Sequence, residues 1–305
     1  MAIDHVGGAA MAPSTAVNRS RMARLQQLAP FLPAGVILVG LFMAPLAVMF
    51  VFSFWSTNEN LDVVAVWTAE NYINFFDNPT YVRTLLKTLV MAAAVTLASL
   101  PAAFGVAYFL ARYVSRQWAR FALLLIIVPF WTSYLLRVYS WQAILGEFGA
   151  LNQVLQALGL ISEPSRLLVY NDFATFIVLV YVYVPLAALV LYASLERFDF
   201  TQLTAGQDLG ARPDQAFRHI LLPQIRPGII TACIFVFIPI LGEFLTPIMV
   251  GGASGLLIAN LVANFFKNAL IPEGAAVSFL IAAFVLLLLI VFRRYLRVED
   301  AVARA

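Results

Sequence analysis

The chain has 305 residues, of which 62% are hydrophobic and only 11% are charged, with a mean hydropathy of +0.89. A soluble globular domain carries about 25% charged residues, so the composition excludes that class and requires lipid as the solvent. The net charge of +3 comes from basic residues scattered between apolar segments, which is not typical of a nucleic-acid-binding surface, and the single Cys233 excludes a disulfide within the chain.

Residues 1–30 are small and polar and predict a tail that leads to the membrane surface. The apolar stretch at 31–55 is longer than the apolar core of a cleaved secretory signal, so it predicts a retained first transmembrane helix. We therefore predict an all-α integral membrane protein with about six transmembrane helices, a membrane domain at 31–292 and tails at 1–30 and 293–305. The further predicted crossings are 84–111, 121–145, 173–195, 229–250 and 274–292.

Four prolines lie inside predicted crossings, and each of them predicts a bend or break in its helix. They are Pro101, Pro129, Pro239 and Pro247. Backbone groups freed at membrane depth are tolerated only where protein or water satisfies them. This pattern is consistent with a solute path through the membrane.

The 19 Lys and Arg residues are distributed unequally between the two sides that six crossings define. Positive charge is retained on the cytoplasmic side of short loops, so the richer side is predicted to be cytoplasmic and to hold both termini. The richer side carries Arg19, Arg21, Arg24, Arg112, Arg116, Arg120, Arg197, Arg212, Arg218, Arg226, Arg293, Arg294, Arg297 and Arg304. The other side carries Arg83, Lys87, Arg137, Arg166 and Lys267.

The fourth connection, 196–226, is predicted to be cytoplasmic and to contain two short helices. Asp199 or Thr201 can cap a first helix that runs to about Gly210, and Pro213 fits the first turn of a second helix. Gly206 and Gly210 are four residues apart, which predicts one helix face that another surface can approach closely. An amphipathic hairpin resting on the bilayer is the alternative interpretation.

The segment Thr204-Ala205-Gly206-Gln207-Asp208-Leu209-Gly210-Ala211, with the later Leu222-Pro223 and Pro227-Gly228, resembles the EAA loop of permease subunits in ATP-binding cassette (ABC) importers. The resemblance implies a type I ABC importer permease fold. It also implies that this loop docks into a cleft of a separate ATPase subunit. The implied ATPase-coupling residues are Thr204, Ala205, Gly206, Asp208, Leu209, Gly210 and Ala211. The family triplet begins with Glu where this chain has Thr204, which removes a candidate ion pair to the ATPase.

A narrower resemblance covers most of the chain after the tail. Pro129-Phe130-Trp131-Thr132-Ser133, Leu136-Arg137-Val138-Tyr139-Ser140-Trp141 and Leu241-Gly242-Glu243-Phe244 look like the first permease subunit of the spermidine/putrescine importers. The resemblance implies a small cationic cargo, such as a polyamine, and a bacterial inner membrane location. Relatives that carry opines, aminophosphonates or other small solutes share much of this pattern, so those cargoes remain the alternative.

Glu243 lies well inside a predicted crossing, where an ionised side chain is costly and usually faces a water-filled path or a partner. With Phe244 beside it, it is a candidate ligand for an ammonium cargo through charge pairing and cation–π attraction. The alternative is a structural carboxylate that bonds freed backbone groups near Pro239 and Pro247, or that pairs with a second permease.

Aromatic residues of the third predicted crossing are further candidates for a cargo path. Trp131, Tyr134 and Tyr139 belong to this set, although aromatic residues near helix ends also serve as interfacial anchors. Arg137 is placed to extend towards the outer interface.

The sequence holds no Gly-rich loop ending in Gly-Lys-Ser or Gly-Lys-Thr, so it predicts a transport subunit that is not itself an enzyme. By resemblance, the expected partners are a second permease, a dimer of ATPase subunits that bind ATP and Mg, and an extracytoplasmic solute-binding protein. An ion-coupled secondary transporter with Glu243 as its titrating group is the competing class. That class predicts more intramembrane ionisable residues and an internal repeat.

Overall fold

The computed structural model describes residues 32–165 and 168–296. The predicted tail at 1–30 and most of the tail at 293–305 lie outside the described residues. Residues up to Phe52 and residues from Ser53 onward form two compact units. The described part of the first unit is helix α1 (Leu32–Phe52), whose 21 residues include no polar side chain. At 1.5 Å per residue this helix is about 30 Å long, which matches the apolar thickness of a bilayer.

The second unit consists of long helices joined by short ones, and near its start β1 (Ser56–Thr57) pairs antiparallel with β2 (Val63–Val64). Its helices are α2 (Glu70–Asp77), α3 (Pro79–Tyr113), α4 (Arg116–Trp131), α5 (Tyr134–Leu145), α6 (Ala150–Ala157), α7 (Asp172–Leu195), α8 (Thr201–Asp208), α9 (Pro213–Ala216), α10 (Leu222–Leu241), α11 (Ile258–Lys267) and α12 (Ile271–Leu296). A π-helical segment, π1 (Phe217–Leu221), follows α9, and a second, π2 (Pro247–Gly251), precedes α11.

Helices α3, α7 and α10 pack against one another and form the centre of the second unit. The start of α3 is capped by Asn78, which accepts a hydrogen bond from the backbone N–H of Thr80, and the start of α7 is capped by Asn171, which accepts one from Ala174. Small side chains let the three helices approach closely, as is common in membranes. The buried alanines include Ala92, Ala103, Ala107, Ala187, Ala188 and Ala232.

Four helical stretches are long and apolar enough to cross a membrane: Pro79–Tyr113, Asp172–Leu195, Pro213–Leu241 and Ile271–Arg293. The pair formed by α4 and the helices after it provides a fifth crossing if it is counted as one bent span. Together with α1, these segments correspond to the predicted arrangement of about six transmembrane helices in an all-α protein.

The predicted crossing at 121–145 is interrupted, because the chain turns by 88° between α4 and the helical stretch Tyr134–Ala157. Pro129 lies in the last turn of α4, and its carbonyl accepts hydrogen bonds from the backbone and the hydroxyl of Thr132, at 3.2 and 2.6 Å. These bonds close the helix, and the carbonyl of Ser133 then accepts from the backbone N–H of Arg137 in the new helix α5. Pro129 therefore marks a break, as predicted.

The predicted crossing at 229–250 is also interrupted. Helix α10 ends at Leu241, where the carbonyls of Pro239 and Ile240 accept from the N–H groups of Gly242 and Glu243. Leu245 and Thr246 form a short helical turn that leads into π2. By contrast, α3 continues as one helix of 35 residues through Pro101, so of the predicted bend or break the break does not occur.

Candidate coupling loop and translocation site

In the connection 196–226 the first predicted short helix forms as α8, whereas the second begins at Pro213 and continues through π1 into α10. Asp199 precedes α8, and its Oδ1 accepts hydrogen bonds from the backbone N–H and the hydroxyl of Thr201, at 3.0 and 2.8 Å. These two bonds lower the pKa of Asp199, because they stabilise its charged form. Pro213 occupies the first turn of α9, as predicted. Just before α9, the backbone N–H of Arg212 donates to the side chain of Gln215 at 2.9 Å.

The turn after α8 is closed by two backbone hydrogen bonds that satisfy the last carbonyls of the helix. The N–H of Ala211 donates to the carbonyl of Gly206 at 3.0 Å, and the N–H of Gly210 donates to Gln207 at 2.9 Å. Gly210 has a φ of +91°, a conformation that favours glycine, which explains a glycine at this position. The turn holds Leu209 at its tip with 90% of the residue exposed.

The prediction that Gly206 and Gly210 form one approachable helix face is wrong. Helix α8 ends at Asp208, so Gly210 lies beyond the last helical turn and four-residue spacing no longer places it on the same face. A Cβ built on Gly206 would lie 2.6 Å from Cδ1 of Ile220, whereas one built on Gly210 would meet nothing within 4 Å. Gly206 therefore packs inward and only Gly210 leaves open space outside.

The coupling loop, which we define as residues 196–226, is fixed to the central helices by buried and aromatic contacts. Leu203 and Leu221 are buried in the same apolar core as α3, α7 and α10. The ring of Phe217 meets that of Phe104 on α3 edge to face, with centroids 5.8 Å apart. The coupling loop is therefore in direct contact with a central helix.

Phe200, just before α8, adds a second contact to the end of α3. Its ring lies 5.9 Å from that of Tyr108, and the guanidinium of Arg112 lies over both rings at 5.7 and 5.8 Å. The same guanidinium also lies over the ring of Tyr113 and donates to the hydroxyl of Tyr108. These contacts fix the start of α8 to the end of α3.

Glu243 lies in the interruption after α10 and is only 8% exposed. Its Oε1 accepts hydrogen bonds from the backbone N–H groups of Leu245 and Thr246, both at 3.1 Å. Its Oε2 accepts from the hydroxyl of Tyr134 at 2.7 Å, and that hydroxyl lies 2.6 Å from Oγ1 of Thr246. The structure thus brings together Glu243 and Tyr134, two of the five predicted path residues.

Phe244 faces a groove of about 380 Å³ between the end of α10 and helices α11 and α12. Gly242 lines the same groove, whereas Glu243, between them in sequence, does not. The lining is mostly apolar, with Ser278 as its one hydroxyl-bearing side chain. The side chains of Phe244 and Glu243 therefore face different surroundings, although the two residues are adjacent in the sequence.

Trp131 and Tyr139 do not join the cluster around Glu243. Trp131, at the end of α4, is 88% exposed, and Tyr139, on α5, is 50% exposed. Such exposure on a membrane helix fits a surface that meets either cargo, lipid or a second subunit. Arg137 is partly buried, and its guanidinium lies over the rings of Phe130 and Tyr134.

Two buried polar residues near the site escaped the sequence analysis. Asn260 on α11 is 3% exposed and donates to the carbonyl of Phe244 at 2.7 Å, while its Oδ1 accepts from the N–H of Leu257 at 2.8 Å. Thr246 is fully buried. An amide side chain inside an apolar stretch, three residues after a helix start, was the available signal. Within the described ranges, no group of three or more His, Cys, Asp or Glu residues could hold a metal ion.

Comparison with known proteins identifies the family. Residues 27–302 match the family model described as binding-protein-dependent transport system inner membrane component. The chain belongs to this family. It is a multi-pass inner-membrane permease subunit, and its fold is that of the type I permeases of ABC importers.

Curated relatives include spermidine/putrescine permeases. The chain is 38% identical over 243 residues to the spermidine/putrescine transport system permease protein PotB of Escherichia coli K12, covering 79% of this chain and 87% of that protein. It is 35% identical to PotB of Haemophilus influenzae, covering 74% and 79%. It is also 25% identical to the sulfoquinovosyl glycerol transport system permease protein SmoG of Agrobacterium fabrum, covering 88% and 89%.

Solved structures confirm the fold. A chain of a bacterial ABC transporter involved in the import of the acidic polysaccharide alginate superposes with a TM-score of 0.70 at 15% identity, over 91% of this chain and 97% of that one. A chain of a bacterial alginate ABC transporter in complex with an alginate pentasaccharide-bound periplasmic protein gives a TM-score of 0.69 at 15% identity, over 91% of this chain and 98% of that one. At this identity, the similarity establishes the arrangement of helices and not the cargo.

Proposed function

We propose that this chain forms part of the translocation path of an ABC importer for polyamines such as spermidine or putrescine. The cargo named for the PotB relatives supports this class, because the similarity covers most of both chains. Another small solute, such as an opine or an aminophosphonate, is the alternative cargo within the same importer class. The match to a permease for sulfoquinovosyl glycerol keeps that alternative open.

The observation that carries the coupling role is the exposed Leu209 at the tip of a rigidly closed turn. A large apolar side chain held out from the protein fits an apolar cleft on a partner better than it fits water. Leu209 with Asp208, Gly210 and Ala211 at the turn, and the exposed Thr204 and Ala205, would then dock into an ATPase subunit. Gly206 contributes from inside, by holding α8 against Ile220.

The remaining partners follow from the importer class. We infer a second, similar permease, two ATPase subunits that bind ATP and Mg, and an extracytoplasmic solute-binding protein that delivers cargo. The unequal distribution of basic residues supports a cytoplasmic position for the coupling loop and both termini.

ATP-driven closure of the ATPase dimer would move the coupling loop, and the contacts of Phe200 and Phe217 would transmit that movement to α3. Because α3 packs on α7 and α10, displacement of its end shifts the central helices together. Closely packed helices respond by switching between discrete arrangements rather than by deforming smoothly. The switch would alternate the access of the path between the two sides.

A polyamine offers two chemical features, ammonium groups and methylene chains. The exposed rings of Trp131, Tyr139 and Phe244 can attract an ammonium group through their faces. The apolar groove beside Phe244 suits the methylene chain. Pairing of the cargo with Glu243 is the alternative to a structural role for that carboxylate.

Expression of the chain with the products of its neighbouring genes tests the proposal. The expected result is that an ATPase subunit co-purifies and that the reconstituted complex takes up labelled spermidine in an ATP-dependent manner. Uptake that continues without ATP and collapses when the ion gradient is dissipated would instead establish a secondary transporter. Uptake of a different solute, without uptake of spermidine, would support the importer class and reject the polyamine cargo.

Thr204→Glu restores the acidic residue that the family triplet usually carries. Thr204 is exposed and its hydroxyl donates only to the carbonyl of Thr201 in its own helix, so the fold is expected to tolerate the change. An exposed ion pair contributes about 0 to 1 kcal/mol, so ATPase affinity should rise by no more than about fivefold. Binding measured at low and high salt checks this, with Thr204→Gln as the uncharged control. A gain that persists in high salt would contradict an ion pair.

A further inference from the structure

Two interrupted membrane spans meet at one buried hydrogen-bonded cluster. Tyr134 is the first residue of α5, directly after the break that follows α4. Glu243 and Thr246 lie in the break that follows α10. The Tyr134 hydroxyl contacts both of them, and the two contacts bridge residues more than 100 positions apart in the sequence. The two breaks are therefore tied to each other.

The hydrogen bonds of Glu243 leave little of its carboxylate for another ligand. Both oxygens accept, one from two backbone N–H groups and the other from Tyr134. These three hydrogen bonds occupy both oxygens of the side chain. The freed N–H groups of Leu245 and Thr246 are satisfied in the same way as at the start of a helix. These hydrogen bonds thus fix the backbone conformation of the break.

Asn260 satisfies the other side of the same break. Its amide donates to the carbonyl of Phe244. Glu243 therefore accepts from backbone N–H groups of this short segment, and Asn260 donates to one of its backbone carbonyls. The ring of Phe244, in contrast, lines the open groove. The polar groups around the break face inward, and an aromatic side chain faces the space that a solute can enter.

We propose that Tyr134, Glu243 and Thr246 form a latch that holds the two broken spans together in this conformation, and that transport requires the latch. Glu243 is then a positioning residue and not the ligand of the cargo. The inference rests on the proposed function, because only a permease that changes its conformation needs two spans to be joined reversibly. It identifies Tyr134 as the residue that connects α5 to the break after α10.

The latch and a cargo ion pair predict opposite results for two substitutions. Glu243→Gln removes the charge, but its amide oxygen can still accept from the two backbone N–H groups and its NH2 can donate to the Tyr134 oxygen. Tyr134→Phe keeps the charge and removes the bond between the spans. A cargo ligand would suffer from the first substitution and tolerate the second. Weakening the latch lowers the maximal rate at unchanged KM, more strongly for the second substitution than for the first.

The test uses the complete importer in proteoliposomes with spermidine as the probe cargo. For Tyr134→Phe we expect a maximal uptake rate reduced about tenfold with an unchanged KM, because a hydrogen bond to a charged group is lost. Thr246→Val, which keeps the shape of the side chain, should reduce the rate in the same direction. Glu243→Gln should reduce the maximal rate less than Tyr134→Phe does and should leave KM unchanged, because its amide keeps neutral hydrogen bonds where the carboxylate made charged ones. Co-elution of the subunits and basal ATP hydrolysis serve as the measure of intact assembly.

A second readout does not depend on the cargo. Ala263 lines the groove, and Ala263→Cys in a Cys233→Ala background provides a single thiol there. We expect ATP to change the rate of its labelling in the otherwise unaltered importer, and Tyr134→Phe to remove that dependence. This readout holds even if spermidine is not the cargo, so failure of the polyamine proposal and failure of the latch are distinguishable.

Three outcomes would overturn the latch. The first is a raised KM for Glu243→Gln together with wild-type behaviour of Tyr134→Phe, which would make Glu243 a cargo ligand. The second is loss of subunit assembly in both Tyr134→Phe and Thr246→Val, which would make the cluster a purely structural part of the fold. Unchanged, ATP-dependent labelling in Tyr134→Phe would also reject it.

Discussion

Leu209→Asp is expected to abolish stable binding of the ATPase subunits while the permease itself remains folded. The side chain is 90% exposed and contributes nothing to the core, so the substitution removes no internal contact. Burying a leucine side chain in a partner stabilises the complex by about 1.5 to 3 kcal/mol, and an unpaired aspartate in the same cleft adds a desolvation cost. Affinity should therefore fall by on the order of 100-fold or more.

Pull-down of the ATPase by the detergent-solubilised permease, with titration where binding persists, measures this effect. Leu209→Met is the matched control, because it keeps an apolar side chain of similar volume and should bind within about threefold of the wild type. A normal thermal unfolding midpoint of Leu209→Asp shows that the fold is intact. Wild-type binding by the aspartate variant would remove Leu209 from the interface and with it the coupling role of the turn.

The coupling loop was the part of the molecule that the sequence predicted best. Its signals are local, because a capping Asp199, a proline in a first turn and a glycine after a helix end each act within a few residues. The error on Gly206 and Gly210 came from predicting the helix end too late. A helix that continued through Gly210 would place both glycines on one face, but the turn closed by Ala211 ends the helix before Gly210.

The sequence predicted that two membrane spans would be bent or broken, because Pro129 and Pro239 lie inside them. It did not predict where the chain would turn or by what angle, because the long apolar stretches carry no signal for this. A proline alone does not decide the outcome, since α3 passes through Pro101 without interruption. In the break after α10 the freed backbone groups are satisfied by side chains, by Glu243 within the break and by Asn260 from helix α11.

The cluster around Glu243 shows the same limit for the candidate site. The sequence indicated that a carboxylate at membrane depth needs partners, and it placed Tyr134 among the candidates for the path. It could not indicate that these two side chains bond to each other, because their spacing of 109 residues carries no periodic signal. Asn260 was missed for the same reason, since its bond to the carbonyl of Phe244 depends on how α11 folds back.

The approach of α7 to α10 at Gly228 leads to a prediction about the fold itself. A Cβ built on Gly228 would overlap the hydroxyl of Ser194 and would lie 2.5 Å from its Cβ. A Cβ atom cannot rotate away, so Gly228→Ala must separate two helices of the central core. Overpacking of this kind costs about 1 to 3 kcal/mol or more. The gain of about 0.5 to 1 kcal/mol for alanine over glycine in a helix is too small to offset it.

We therefore expect Gly228→Ala to lower the thermal unfolding midpoint of the purified permease and the yield of monodisperse protein. Gly105→Ala on α3 is the matched control, because a Cβ at that position meets nothing within 4 Å and should leave both measures unchanged or raised. Adding Ser194→Gly to Gly228→Ala removes both atoms of the clash and should restore most of the loss. If Gly228→Ala behaves like Gly105→Ala, α7 and α10 do not pack at this distance, and the rigid transmission from the coupling loop through the central helices loses its basis.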